Sequence, residues 1–172
     1  MYRMTDIYIH IIPGVDDSPL NLTMSQQMLQ IAQSEGIYKI FAASHSQSWL
    51  TDPKAAWCKF RQLQEMSKAR FPQFQLFPGC EVLCTSAFMP QIIQALQNHQ
   101  LPTMNGTHWI LMEFFPWERA AEFLTCVQAL MDAGYSPILA HAKRYPFLMQ
   151  ENQKLVERFV NWAARFRLTP IV

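Results

Sequence analysis

Short apolar runs alternate with longer amphipathic segments along the chain. The short runs are rich in Ile, Phe, Tyr and Trp and are too short for helices, so each predicts a β-strand. The five predicted strands cover residues 7–12, 37–43, 74–78, 109–112 and 136–140. Because the runs are apolar almost throughout and do not alternate with polar residues, we expect strands covered on both faces, as in parallel sheets.

The longer segments have the periodicity and the end signals of helices. Asp52 followed by Pro53 is typical of a helix start, and Gly36 and Gly134 stand where helices should stop. The predicted helices cover residues 21–35, 52–70, 87–97, 118–133 and 147–166, and residues 168–172 begin a sixth strand. A strand–helix unit repeated in this way predicts an α/β fold of parallel strands joined by right-handed crossovers. No linker interrupts the pattern, so we expect residues 1–172 to form a single domain.

Composition excludes several classes of function. Half of the 172 residues are apolar and 16% are charged, which is enough for a sizeable core. The net charge is +1 and no Lys/Arg cluster occurs, which argues against nucleic-acid binding. The four cysteines form no CxxC pair, which argues against disulfides and structural zinc. No signal peptide is recognisable and no window is long and apolar enough to insert into a membrane, so we expect a cytoplasmic protein.

A metal-ligand type of residue follows every predicted strand. These residues are His10, His45, Glu81, Glu113 and His141, at intervals of 35, 36, 32 and 28 residues. Each interval is about one strand–helix unit. The carboxyl ends of the strands meet on one face of an α/β barrel, where the active site lies, so the five side chains should meet there.

The residue types indicate what this face binds. Imidazoles and carboxylates together form a ligand set for Zn, Mn or Fe. Pro13-Gly14 predicts a turn that brings Asp16-Asp17 back over the first strand end. Arg144, three residues after His141, favours an anionic substrate, and phosphate suits its guanidinium best.

Each of these residues also has a simpler structural interpretation. A single His near a strand end is about twice as often a hydrogen-bonded structural residue as a ligand. Asp16-Asp17 before Ser18-Pro19 could serve only a turn and a helix cap, and Arg144 could be a surface residue. The joint pattern over five strand ends favours the metal site. His99 and His108 fall outside it and are expected to be structural or exposed.

Five short segments together resemble one family. They are DIYIHIIPGVDD at 6–17, ASH at 43–45, PGCE at 78–81, LMEF at 111–114 and LAHAKRY at 139–145. In this order and spacing they are similar to the bacterial capsule-type, manganese-dependent tyrosine-protein phosphatases of the polymerase-and-histidinol-phosphatase (PHP) superfamily. IPGVDD and HAKRY are the most specific of these motifs.

The resemblance implies a distorted TIM-like β/α barrel with helices outside and a manganese cluster. It assigns the metal ligands His10, Asp17, His45, Glu81, Glu113 and His141. It also assigns Arg144 as the catalytic, phosphate-binding residue. The implied reaction is the hydrolysis of phosphotyrosine on the tail of a membrane-associated tyrosine kinase that controls capsule or exopolysaccharide synthesis, without a cysteine nucleophile.

Three positions depart from the family pattern. Tyr8 stands where the family has the first His of His-x-His, and Ser46 stands where a second His often follows His45. The sequence ends before the family's Asp-x-His motif, so we expect an incomplete barrel and an incomplete metal cluster. The same departures leave two alternatives open: an inactive relative that acts as a binding partner, or a small-molecule phosphoesterase of the same superfamily. Association with further copies of the chain also stays open.

Overall fold

Five parallel strands form the centre of the molecule. The structure is a computed structural model that describes residues 4–149 and Glu157. The strands are β1 (Met4–Ile9), β2 (Ile37–His45), β3 (Gln75–Leu83), β4 (Trp109–Glu113) and β5 (Ser136–Leu139). They pair in sequence order, β1-β2-β3-β4-β5, with every pair parallel. This is the strand order of a β/α barrel and confirms the predicted α/β class.

Helices follow each of the strands. They are α1 (Leu22–Ser34), α2 (Ser46–Thr51), α3 (Pro53–Arg70), α4 (Met89–Gln97), α5 (Ala120–Asp132) and α6 (Pro146–Met149). Side chains cap two of these helices, and the cap at Asp52 confirms the predicted start signal. The Asn21 side chain accepts a 3.0 Å hydrogen bond from the Met24 N–H at the start of α1, and Asp52 accepts one of 2.9 Å from the Ala55 N–H at the start of α3. Both satisfy amide groups that a helix leaves without partners in its first turn.

Two separate hydrophobic clusters lie on the two faces of the sheet. The larger one packs the helices against the outward-facing strand residues and includes Leu29 of α1, Leu63 of α3 and Phe123 of α5, all fully buried. The smaller one fills the inner, concave side. Its buried members are Phe41, Ala43, Met104, Trp109, Leu111 and Ala140. The sheet is therefore apolar on both faces, which explains the near-continuous hydrophobicity of its strands.

The structure differs from the predicted boundaries mainly at the first strand. The apolar run predicted a strand at 7–12, but β1 covers Met4–Ile9. Ile11 and Ile12 are fully buried in the loop that follows, so their apolarity reflects packing under the helices. The short helix α2, directly after His45, was not predicted. Most of the helix predicted at 147–166 and all of the strand predicted at 168–172 lie outside the described residues.

Among the described residues, no helix combines the length and the hydropathy that crossing a bilayer requires.

Candidate metal centre

The strand register aligns three of the predicted ligands on one face of the sheet. His45 of β2 pairs with Glu81 of β3, and Glu81 pairs with Leu111 of β4. Glu113 lies two residues after Leu111, and residues i and i+2 of a strand point to the same face. His45, Glu81 and Glu113 therefore share the inner face with the apolar side chains of the smaller cluster and lie above them at the carboxyl ends of the strands.

His141 reaches the same place through a local change of backbone. Strand β5 ends at Leu139, and His141 has a φ of +51°. This left-handed conformation is uncommon for a residue with a Cβ and often occurs at functional sites. It turns the chain after β5 and brings Nε2 of His141 to 3.2 Å from Oε1 of Glu81.

Glu81 is the centre of the group. Its side chain has no exposed surface, yet nitrogens of three imidazoles lie 3.2 Å from its carboxylate: Nε2 of His10, Nδ1 of His45 and Nε2 of His141. Oε1 of Glu81 nevertheless accepts no hydrogen bond from any residue in the described part of the chain. A buried carboxylate oxygen without a donor is costly, so this atom is suited to a further ligand.

Glu113 adds a second carboxylate beside the first. Its Oε1 lies 2.9 Å from Nδ1 of His45. Burial, and then the neighbouring charge of Glu81, raise the pKa of Glu113, and the charge of His45 opposes the shift. Donor oxygens of Glu81 and Glu113 lie within 4.8 Å of each other. Two ionised carboxylates at this distance repel each other, and a bound cation would remove that repulsion.

His10 connects the centre to the loop after β1. Its Nδ1 lies 2.7 Å from Oδ1 of Asp17 and 3.3 Å from Oδ2 of Asp16. Burial alone would lower the pKa of His10, but hydrogen bonds with Asp16 and Glu81 outweigh it and raise the pKa to about 10. His10 is thus surrounded by carboxylates that belong to both the loop and the strand ends.

Asp16 and Asp17 have different surroundings. Asp16 is nearly buried and accepts hydrogen bonds from the backbone N–H groups of Ser18, at 2.9 Å, and His45, at 2.7 Å. Burial would raise the pKa of Asp16, but hydrogen bonds from His10 and Ser18 lower it well below its usual range. Asp16 therefore fastens the loop to the end of β2. The Asp17 side chain is 75% exposed, and its Oδ1 lies 3.8 Å from Nε2 of His45.

Tyr8 is a member of the centre that the sequence patterns did not select as a ligand. Its hydroxyl donates a 2.9 Å hydrogen bond to Oε2 of Glu81 and lies 2.6 Å from Nε2 of His141. Burial, and then the hydrogen bond to Glu81, raise the pKa of Tyr8 far above its ordinary value. Its position in the sequence could have indicated this contact. Tyr8 precedes His10 by two residues, and side chains two residues apart in an extended chain point to the same side.

Arg144 borders the centre on the side of β4 and β5. It follows His141 in a short 3₁₀ turn, Ala142–Arg144. A cleft of about 300 Å³ has a polar part formed by His45, Glu113, His141 and Arg144, and it continues along Phe115 and Pro116. We call His10, Asp17, His45, Glu81, Glu113 and His141 the ligand cluster. Arg144 lies at the rim of this cluster, where a guanidinium can bind an anion.

The donor groups fit a divalent metal. One set of donor atoms within 4.8 Å of one another comes from His10, Asp16, Asp17 and His45, and a second comes from His45, Glu81 and Glu113. His45 belongs to both sets, so the two form one continuous cluster. Mixed imidazole and carboxylate donors suit Zn, Mn or Fe, and the buried Oε1 of Glu81 accepts no hydrogen bond from the described residues. Five of the six predicted ligands belong to these sets. The sixth, His141, belongs to neither set, but its Nε2 lies 3.2 Å from Oε1 of Glu81. His99 and His108 also belong to neither set.

The chain is similar to a known protein family and to named phosphatases. The family model described as "Capsular polysaccharide synthesis, CpsB/CapC" matches residues 4–168. The chain is 29% identical over 153 residues to the tyrosine-protein phosphatase CpsB of Streptococcus agalactiae, covering 88% of this chain and 60% of that protein. It is 28% identical over 169 residues to the tyrosine-protein phosphatase YwqE of Bacillus subtilis, covering 96% of this chain and 64% of that protein.

A solved structure extends the likeness to three dimensions. The fold matches a chain from the crystal structures of YwqE from Bacillus subtilis and CpsB from Streptococcus pneumoniae, described as metal-dependent tyrosine phosphatases. The TM-score is 0.74 at 30% identity, over 91% of this chain and 62% of that one. The chain thus spans somewhat less than two thirds of the length of these relatives. Because the family model matches most of its residues, the chain belongs to the CpsB/CapC family of capsular polysaccharide synthesis proteins.

Proposed function

We propose that this chain is a metal-dependent phosphoric monoester hydrolase that acts on phosphotyrosine. The observation that carries the proposal is the fully buried carboxylate of Glu81, with nitrogens of three imidazoles around it and one oxygen that accepts no hydrogen bond from the described residues. The names of the relatives CpsB and YwqE, both tyrosine-protein phosphatases, support the choice of substrate.

The proposed metal is Mn²⁺. Its ligands would be His10, Asp17, His45, Glu81, Glu113 and His141, which lie together at the carboxyl ends of the strands. Divalent cations in such a site supply Lewis acidity, which lowers the pKa of water and neutralises charge on phosphoryl oxygens. Asp16 has another role, because its oxygens are engaged in fixing the loop through Ser18 and the His45 N–H.

The protein's own contribution is mainly positioning and charge. Arg144 would bind the phosphoryl oxygens through its forked N–H groups and would stabilise their charge during transfer. Tyr8 holds its proton between Oη and Oε2 of Glu81 and so keeps that carboxylate in place. In the reaction, a bond forms between water oxygen and phosphorus, and the bond to the phenolic oxygen breaks, giving tyrosine and inorganic phosphate.

The proposed partner is the phosphotyrosine tail of a membrane-associated tyrosine kinase in capsule or exopolysaccharide synthesis. The family description and the phosphatase relatives support this choice. The chain would meet the tail in the cytoplasm, without inserting into the membrane.

The test is phosphate release from a phosphotyrosine peptide with added Mn²⁺, compared with an EDTA blank. We expect Mn²⁺-dependent release that His45→Ala abolishes. His99→Asn is the matched control, because His99 is exposed, lies outside both donor sets and has a φ of +56° that Asn tolerates. Equal release by wild type and His45→Ala would contradict the proposal.

A second function is supported by the contacts of Tyr8. Its hydroxyl occupies a position beside Glu81 and His141 without being a good metal ligand at neutral pH. Weak metal binding would make the chain a phosphotyrosine-binding partner instead of an enzyme. Folded protein that binds the peptide but releases no phosphate would favour this alternative. Faster release from small alkyl phosphates than from the peptide would favour a small-molecule phosphoesterase.

A further inference from the structure

Two aromatic side chains stand exposed on the loop between β4 and α5. The rings of Phe115 and Trp117 are stacked, with centroids 4.9 Å apart and planes 7° from parallel. Phe115 is 38% exposed and Trp117 is 74% exposed. Large aromatic side chains are costly to leave in water, so a rigid exposed pair of this kind is typical of a binding surface.

The loop that carries the pair is fixed at both ends. Phe114, just before the pair, is buried in the outer core, and its N–H donates a 3.1 Å hydrogen bond to the hydroxyl of Tyr145. After the pair, the Glu118 N–H donates a 3.0 Å hydrogen bond to the carbonyl of Phe115. The exposure of Phe115 and Trp117 is therefore a property of an anchored turn.

Phe115, the inner member of the pair, lines the same cleft as His45, Glu113 and His141. Phe115 and Pro116 belong to the apolar lining of the 300 Å³ cleft, together with Leu83, Phe114 and Tyr145, and Arg144 belongs to its polar lining. A volume of about 300 Å³ is at the small end of the range for ligand sites, so it suits one side chain of a substrate. A substrate that fits would carry a charged phosphate at one end and a flat apolar group next to it.

We propose that Phe115, backed by Trp117, selects aryl phosphates by packing against the phenyl ring of phosphotyrosine while the phosphate lies at Arg144 and the ligand cluster. This inference rests on the proposed function and adds the residues that discriminate the substrate. Aromatic rings attract each other beyond the burial of their area, whereas the short alkyl chain of phosphoserine offers no such contact. The charged part of the cleft serves both esters equally, so discrimination falls to the aromatic part.

The experiment compares two substrates and one inhibitor with Mn²⁺-loaded protein. Phosphotyrosine and phosphoserine peptides of the same sequence give KM and kcat, and a non-hydrolysable phosphonate analogue of the phosphotyrosine peptide gives Kd by calorimetry. Phe115→Ala removes the aromatic contact, and Phe115→Trp restores it. Phe88→Ala is the matched control, because Phe88 is 62% exposed and does not line the cleft.

We expect Phe115→Ala to raise both KM for the phosphotyrosine peptide and Kd for the phosphonate by about three- to tenfold. The phosphoserine constants and kcat should change little, and Phe115→Trp should restore both affinities. An equal loss for both esters, or no change in Kd, would overturn the inference while leaving the proposed function intact. Wild-type protein that neither binds the phosphonate nor hydrolyses either peptide would overturn both.

Discussion

The hydroxyl of Tyr8 and the carboxylate of Glu81 form a 2.9 Å hydrogen bond at the centre of the ligand cluster. The same hydroxyl lies 2.6 Å from Nε2 of His141, so Tyr8 contacts both residues. Burial and the hydrogen bond to Glu81 keep the phenol protonated by raising its pKa. In this state Tyr8 contacts two of the proposed ligands, Glu81 and His141, and contributes no charge of its own.

Tyr8→His should increase the affinity for Mn²⁺. A neutral imidazole offers a ring nitrogen at pH 7, whereas a protonated phenol is a poor ligand. We expect a gain of about tenfold, measured by calorimetric titration of Mn²⁺ into metal-free protein. Tyr8→Phe serves as the control, because it removes the hydroxyl without adding a donor, and it should not increase affinity. Unchanged affinity in Tyr8→His would mean that the carboxyl end of β1 does not contribute to the metal centre.

Glu81→Gln should remove the stabilisation of the protein by Mn²⁺. A ligand that binds only the folded state at 100 times its Kd raises Tm by roughly 5–10 °C in a protein of this size. The introduced amide keeps the shape of the side chain but loses the charge that a cation needs, so the shift should disappear.

The control for this substitution is Glu65→Gln. Glu65 is exposed on α3, pairs with Lys68 at 2.8 Å and belongs to neither donor set. The Tm of the Glu65→Gln variant should rise with Mn²⁺ as much as the Tm of the wild type does. A full Mn²⁺ shift in Glu81→Gln would show that the metal binds elsewhere.

Arg144→Lys should weaken hydrolysis without changing metal affinity. Lysine keeps the charge but loses the forked geometry that matches phosphate. We expect a loss of about 2 kcal/mol in transition-state stabilisation, which is roughly a 30-fold decrease in kcat/KM for a phosphotyrosine peptide. Lys143→Arg, one residue earlier and absent from the lining of the cleft, should have little effect. Equal kinetics for Arg144→Lys and wild type would exclude Arg144 from phosphate binding.

Tyr145→Phe should destabilise the fold next to the site. The Tyr145 hydroxyl is the acceptor for the buried N–H of Phe114, and its loss leaves that N–H without a partner. Such an unsatisfied group costs about 1–3 kcal/mol in the free energy of unfolding, measured by urea denaturation. Tyr135→Phe is the control, since the Tyr135 hydroxyl makes no hydrogen bond to a described residue. Unfolding free energies that agree for both variants would refute the assigned role of Tyr145.

The position of the ligand cluster could be predicted from the sequence because parallel strands put their carboxyl ends together. His45 and Glu81 follow apolar runs one strand–helix unit apart, and the structure pairs them in register. Strand spacing of this kind is a long, periodic signal, so it survives local uncertainty about boundaries. The apolar run at 7–12 placed β1 three residues too late, because Ile11 and Ile12 are buried outside a strand and β1 covers Met4–Ile9.

The finer geometry depends on features that the pattern of residues does not contain. Asp16 and Asp17 are neighbours in sequence, but only the folded loop turns Asp16 toward the Ser18 and His45 amides and leaves Asp17 exposed. The left-handed backbone at His141 is equally local. The stacking of Phe115 on Trp117 was missed because exposed aromatics carry no periodic signal.

The most direct test of the proposed metal centre is anomalous X-ray diffraction at the manganese absorption edge, from crystals of the chain grown with Mn²⁺. We expect anomalous peaks at the carboxyl ends of the strands, within coordination distance of His45, Glu81 and Glu113. Peaks should vanish at this place in Glu81→Gln crystals grown under the same conditions. Crystals of wild-type protein with no peak beside Glu81, or with manganese bound only elsewhere, would contradict the claim that this cluster is a metal centre.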